Sequence, residues 1–269
     1  MVSCPAIKLS SVQTREFWEI PVVYEDDHLL GLNKPAGLAI GADPDQPDRP
    51  HLAGLLHQAI AAGKLWARDR NITFLMNAHR LDTEASGVLL LARSKPVLST
   101  LLEEFGSEKA ILSYVTLVLG EPAEAQFSVE AKIGPDRIQQ GLMRVDNQFG
   151  KRARTMCRVL ERFRGWTLLG CAALPNRPHQ VRVHLRRLGL RVAGDQAYGG
   201  KPLWLSSLKA GFRLKPNHTE RALLGRACLH AEKLEFNHPA TGQPVAVEAP
   251  RPKNLQVALK YLRKYAAAR

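Results

Sequence analysis

At 269 residues and 45% hydrophobic composition the chain can build a substantial core, as one large domain or two small ones. Its 38 Lys and Arg against 25 Asp and Glu give a net charge of +13, which favours a polyanionic partner, nucleic acid first, through counterion release and steering. No apolar run approaches bilayer length, and the start MVSCPAIKLS carries neither a signal-peptide core nor a myristoylation pattern, so an anionic membrane ranks second as partner and a soluble, cytoplasmic protein is expected.

In chain order, residues 20–33 (IPVVYEDDHLLGLN) read as two short strands around the acidic turn Glu25-Asp26-Asp27, stopped by Lys34-Pro35-Ala36-Gly37. From His51 to Ala62 the positions Leu52, Leu55, Leu56, Ala59 and Ile60 follow helical spacing, with Gly63 where a helix-ending glycine sits. A loop then leads to Gly87 and a strand over 88–92, too uniformly apolar to be exposed on either face. The next helix has Ser94 as N-cap, Pro96 in its first turn and Val97, Leu98, Leu101 and Phe105 on its buried stripe.

Further strands are expected over 112–119, 155–160, 166–174, 228–235 and 243–248. A helix is expected over 177–188, with Asn176 as N-cap, Val181, Leu185 and Leu188 on one face, Arg182, Arg186 and Arg187 turned away from it, and Gly189 as its end. A last helix over about 253–266 turns Leu255, Leu259 and Leu262 inward and Lys260, Arg263 and Lys264 outward. The basic stretch 200–226 has weak periodicity. These elements do not alternate as regular βαβ units, so the expected architecture is a single α+β domain, a mixed, mostly antiparallel sheet flanked by helices.

Two constellations carry chemistry. In NAHRLDTEASGVLLLARS, His79, Arg80 and Asp82 stand at the mouth of the apolar strand. A carboxylate there is either a partly exposed ion pair of small energetic worth or a charge held in dry surroundings, costly unless paired. Ser86-Gly87 allow close backbone approach. In PNRPHQVRVHL, a zinc site fails on spacing, because His179 and His184 are five apart and no carboxylate or Cys stands nearby; a solvated charged face or an RNA-facing helix remains. Tyr114, in an aliphatic strand, is by default a core aromatic. Cys4, Cys157, Cys171 and Cys228 are scattered without a C-x-x-C pair, which suits reduced thiols.

Four ordered stretches, VVYEDDHLLGLNKPAGL, HRLDTEASGVLLLARS, NRPHQVRVHLRRLGLRVAGDQAYGG and LHAEKLEFNHPATGQPVAVEAP, together resemble the motifs of the RluA-type pseudouridine synthase family, which modifies ribosomal and transfer RNA, and the likeness runs from Val22 to Pro252. The resemblance implies an isomerase that flips a uridine out of its RNA, breaks the C1′–N1 bond and rejoins the base through C5, with no cofactor and no metal. It places the catalytic carboxylate on Asp82, its guanidinium partner on Arg177 and the base-stacking tyrosine on Tyr114. It gives Arg80 as the residue that fills the vacated stack; beyond the resemblance, His79, Arg182, Arg186 and Arg187, with the basic stretch 200–226, are expected to contact RNA. Departures from the family pattern fall at Ala85 (usually Thr), Thr83 (often basic), Asn176 (usually Gly) and Leu112 (often Lys).

Residues 1–19 are expected to be an N-terminal arm, too short for an S4-like RNA-binding domain, with residues 20–269 as the catalytic domain of a monomer. A non-catalytic RNA-binding or ribosome-assembly factor on the same scaffold is the alternative. An RNA glycosidase is weaker, because it would need Glu84 as a second carboxylate.

Overall fold

The computed structural model describes residues 6–43, 45–214 and 217–268; Cys4 and part of the basic stretch 200–226 lie outside them. The fold is α+β, and the chain divides into two compact units, residues 1–112 with 231–250, and residues 113–230 with 251–269. Among the described residues no helix is long and apolar enough to cross a membrane.

The first unit begins with an antiparallel hairpin, β1 (Ile7–Ser11) and β2 (Glu16–Ile20), inside the stretch read as an arm. β1 alternates buried and exposed residues, and its buried Ile7 and Leu9 give it the period of a half-buried strand. β3 (Val22–Glu25) and β4 (Leu29–Lys34) form the expected hairpin. Its acidic turn is tied by Asp26, whose carboxylate accepts from the N–H groups of His28 and Leu29, from the Tyr24 hydroxyl at 2.6 Å and from His238 at 2.9 Å. Burial works to raise the Asp26 pKa, but those hydrogen bonds outweigh it and hold the carboxyl below its ordinary range. Burial, and after it the bond to and charge of Asp26, push the Tyr24 hydroxyl up to about 12.

Helix α1 (Leu52–Ala61) starts where the periodicity predicts; the His51 ring caps it by accepting from Gly54 N–H. After the short α2 (Leu65–Arg68) and β5 (Met76–Asn77) comes β6 (Ser86–Ala92), buried along its whole length. It lies between β4 and the later strand β14, with β5 pairing its end, so both edges are hydrogen-bonded, and the burial of every residue shows that both faces are covered as well. At roughly 1.5–3 kcal/mol for each large apolar side chain, its Val-Leu-Leu-Leu run is a main source of the unit's stability. Helix α3 (Lys95–Gly106) follows, with Ser94 as N-cap and Val97 and Leu101 buried.

The second unit takes up β7 (Ile111–Leu119) from Ser113 onward, then β8 (Gln126–Glu130), a small antiparallel pair β9 (Ile133–Pro135) and β10 (Met143–Val145), and the long hairpin β11 (Arg154–Phe163) and β12 (Trp166–Leu174). Strands run β7-β12-β11-β8, all antiparallel. Strands β8, β9 and β10, short and of mixed burial, were not among the expected elements. Helix α4 (Gln180–Arg187) begins three residues later than its periodicity suggests; β13 (Arg191–Val192) then pairs β7, and α5 (Leu205–Leu208) is the one regular helix of the basic stretch among the described residues. The chain returns to the first unit along β14 (Leu229–Asn237) and β15 (Pro244–Glu248), and ends in the second as α6 (Lys253–Tyr265) with Leu255, Leu259 and Leu262 buried. Arg263 holds Glu161 on β11 at 2.7 Å.

Gly87 shows why β6 needs a glycine. Its φ is +115°, and a Cβ there would lie 2.1 Å from the Ala231 carbonyl oxygen on β14. The close approach expected from Ser86-Gly87 is therefore to a neighbouring strand. Gly87→Ala should cost roughly 3 kcal/mol or more, a fall in Tm on the order of 6–12 °C. Gly106→Ala, where a Cβ would meet nothing within 4 Å, should be neutral or stabilising by about 0.4–1 kcal/mol. Thermal melts of the two variants check this, and a wild-type Tm for Gly87→Ala would contradict it.

Candidate active site

The loop bearing Asp82 is built by the first unit. Leu81 is buried between exposed Arg80 and half-buried Asp82, and the Asp82 carbonyl accepts from Ala85 N–H at 3.1 Å, closing a tight turn. The next carbonyl, of Thr83, accepts from Gly37 N–H at 2.7 Å and from the Lys34 ammonium at 3.4 Å. Lys34 is fully buried and also donates to Pro35 and Leu38 carbonyls at 2.9 and 2.8 Å. The Lys-Pro-Ala-Gly segment, read from the sequence only as the end of a strand, thus braces the residue after the carboxylate. A lysine closing an otherwise apolar strand is the signal that could have found it, since a buried ammonium needs several acceptors. Ala85 is fully buried, which accounts for a small apolar residue at that departure.

His79 does not face RNA as expected. It is 8% exposed, stacks on Phe105 at 5.0 Å, and its Nε2 accepts from Leu90 N–H in β6 at 3.0 Å. Burial pushes its pKa down to about 4, so the ring is neutral and its role is to hold the root of the loop to the strand.

The second unit carries Tyr114 and Arg177. Tyr114 is buried in β7 opposite Cys171 of β12, and its hydroxyl lies 3.3 Å from the Asn176 side-chain oxygen. Asn176 is not the N-cap of α4: it stands where the family pattern has glycine, and its side chain links Tyr114 to the residue before Arg177. A lysine at the Leu112 position would be buried, since Leu112 is 1% exposed. Arg177 is half-buried; its backbone N–H donates to the Gln180 side-chain oxygen at 2.9 Å and its Nε to the Arg152 carbonyl at 3.5 Å. The residue that starts the helix is His179, held at φ +53° in the left-handed region, a conformation uncommon for a side-chain-bearing residue and typical of functional loops. Its Nδ1 is 2.7 Å from the Tyr198 hydroxyl, which also accepts from Met143 N–H at 2.8 Å, joining the loop to β10.

Arg182 is a second correction. It is 2% exposed and makes a two-pronged ion pair with Asp195, Nε to Oδ2 at 2.7 Å and Nη2 to Oδ1 at 2.8 Å, with its guanidinium 4.7 Å from the centre of the Tyr198 ring. A guanidinium spent in this way is not available to phosphate. Arg186 and Arg187 are exposed as expected, whereas Leu188, expected on the buried face, is 47% exposed. Asp195 and Tyr198 went unread in the sequence beyond their place in a motif, because only the fold brings them beneath α4. Arg182→Ala should cost about 3–5 kcal/mol by leaving Asp195 buried and unpaired, and Arg186→Ala should leave stability within about 0.5 kcal/mol. Denaturant unfolding separates them; wild-type stability for Arg182→Ala would put it back among residues free to meet RNA.

Residues 28–187, which include Arg80, Asp82, Tyr114 and Arg177, match the family model described as RNA pseudouridylate synthase. Ribosomal large subunit pseudouridine synthase C of Salmonella typhi is 35% identical over 244 residues, covering 90% of this chain and 70% of that protein. Ribosomal large subunit pseudouridine synthase D of Xanthomonas campestris is 33% identical over 259 residues, covering 91% and 70%. Among solved structures, Human RNA Pseudouridylate Synthase Domain Containing 4 shares the fold, with a TM-score of 0.67, 20% identity and coverage of 90% of this chain and 92% of that one. With a family match over more than half its length and relatives of this identity over most of it, the chain belongs to the RNA pseudouridine synthase family and is an isomerase acting on RNA.

Proposed function

We propose that the enzyme converts uridine to pseudouridine in ribosomal RNA, acting in the cytoplasm as a monomer whose residues 20–269 form one catalytic domain. The ribosomal assignment is supported by the relatives, which are named for the ribosomal large subunit; transfer RNA, the other substrate of the resemblance, has no such support. The carrying observation is the half-buried Asp82 carboxylate on a loop braced by Lys34 and Gly37, within the matched region.

The reaction is an isomerisation, redox-neutral and balanced in atoms, so no co-substrate is required. Asp82 acts as nucleophile or base while the C1′–N1 bond breaks and its electron pair passes to N1. The uracil turns and joins C1′ through C5; the C5 proton is lost and N1 gains one. An ionised carboxylate is needed, and the Arg177 guanidinium supplies the opposite charge that keeps it so. Tyr114 stacks on the base and assists removal of the C5 proton. The target must leave its stack, at a cost of a few kcal/mol, and Arg80, exposed beside Asp82, occupies the gap. Exposed Arg186 contributes phosphate contact. His79 and Arg182, being buried, are removed from the RNA-contacting set.

Asp82→Asn should abolish pseudouridine formation while leaving RNA affinity within a few-fold of wild type, measured on an unmodified large-subunit ribosomal RNA transcript. Product from the variant would remove Asp82 from the mechanism. Product from neither protein would favour the non-catalytic alternative, and free uracil would point to the glycosidase.

A further inference from the structure

Beneath the Arg177 loop lies a line of buried polar side chains that the chemistry above does not use. Gln180 is 2% exposed, and Thr155 and His184 are fully buried. Each group touches the next: Arg177 N–H to Gln180 Oε1 at 2.9 Å, Gln180 Nε2 to Thr155 Oγ1 at 3.2 Å, Thr155 Oγ1 to His184 Nδ1 at 2.8 Å, and His184 Nε2 to the Ala131 carbonyl at 3.2 Å. Gln180 Nε2 also donates to the Arg154 carbonyl at 2.8 Å.

Hydrogen-bond directions along the line are forced. A carbonyl only accepts, so the proton of the His184 ring sits on Nε2, toward Ala131, and Nδ1 must accept. Thr155 therefore donates its single proton to Nδ1, which leaves its lone pairs for Gln180 Nε2–H. The Gln180 amide cannot be reversed, because reversal would set an oxygen against the Arg154 carbonyl and an NH₂ against the Arg177 N–H. One arrangement satisfies every member, and fully satisfied buried networks rigidify what they touch. Burial, and secondarily the charge of Arg187, lower the His184 pKa against the opposing pull of Ala131, which keeps the ring in its neutral, accepting form.

We propose that Gln180, Thr155 and His184 form a positioning relay that fixes the Arg177 backbone, carrying the rigidity of β11 and α4 to the loop from which the guanidinium extends. None of the three touches substrate; each acts through Arg177. The inference rests on the reading of Arg177 as the partner of Asp82. It follows that Thr155, in a strand and unmarked by any motif, matters to the rate.

The test uses Thr155→Val, which removes the hydroxyl at nearly constant volume, and Thr155→Ser, which keeps it. The readout is single-turnover tritium release from a 5-tritiated large-subunit ribosomal RNA transcript, with RNA Kd measured separately. Thr155→Val should slow the step about 10- to 100-fold with Kd within about 2-fold, exchange of the Arg177 amide should accelerate, and Thr155→Ser should restore the rate to within about 2-fold. In an Arg177→Lys background Thr155→Val should add less than about 2-fold, since both changes disable one unit. Should Thr155→Val fail to fold, Thr155→Ala carries the same comparison. A folded Thr155→Val with the wild-type rate, or one whose full cost persists with Arg177→Lys, would overturn the relay alone. A wild-type rate for Arg177→Lys by itself would instead overturn the reading of Arg177.

Discussion

The ion pair between Arg182 and Asp195 anchors helix α4 in the second unit. Helix α4 is rich in Arg and His, yet residues 180–185 are all buried. A guanidinium cannot enter such surroundings alone; the two-pronged pair and the Tyr198 ring over which it lies compensate for the lost water. Once Arg182 is held there, Gln180 and His184 are drawn under the helix too, and the chain before it must turn sharply through left-handed His179. The loop carrying Arg177 thus has its course set by a buried charge.

The first unit reaches the same end with different means. Its Asp82 loop hangs from the fully buried strand β6 and is fastened at both ends, by neutral His79 on Leu90 N–H and by Lys34 and Gly37 on the Thr83 carbonyl. A buried ammonium that donates to several carbonyls is a costly anchor, and one that tolerates few alternative loop paths. Both candidate catalytic loops are therefore supported by buried polar groups rather than by loop contacts at the surface, which suits a reaction that needs preorganised charge.

The charge balance belongs to a different scale. A net charge of +13 draws RNA from solution and sets a salt-dependent affinity, but it does not choose a uridine. Choice of nucleotide requires side chains that can reach a flipped base, and the burial of His79 and Arg182 keeps them from doing so. Departure from the family pattern at Asn176 adds a contact that glycine could not make, the link to the Tyr114 hydroxyl.

Local rules were enough for much of this molecule. The periodicity of 52–60, the Ser94 cap, the uniformly apolar 88–92 run and the alternating strands of the C-terminal half each depend on neighbours within a few residues, and the observed elements follow them closely. Order and spacing of the motifs were likewise enough to mark the family. What a sequence could not say is which charges would be buried. Arg182 and Arg186 are alike on the helix and both lie over the Tyr198 ring, at 4.7 and 5.9 Å, but only Arg182 meets Asp195, which makes it a buried anchor and leaves Arg186 exposed. The close backbone approach expected at Ser86-Gly87 has its cause in the path of β14, which no local pattern gives. Period and composition are properties of a segment and were legible in the chain; the partner of a buried polar group comes from distant sequence, and tertiary structure alone determined it.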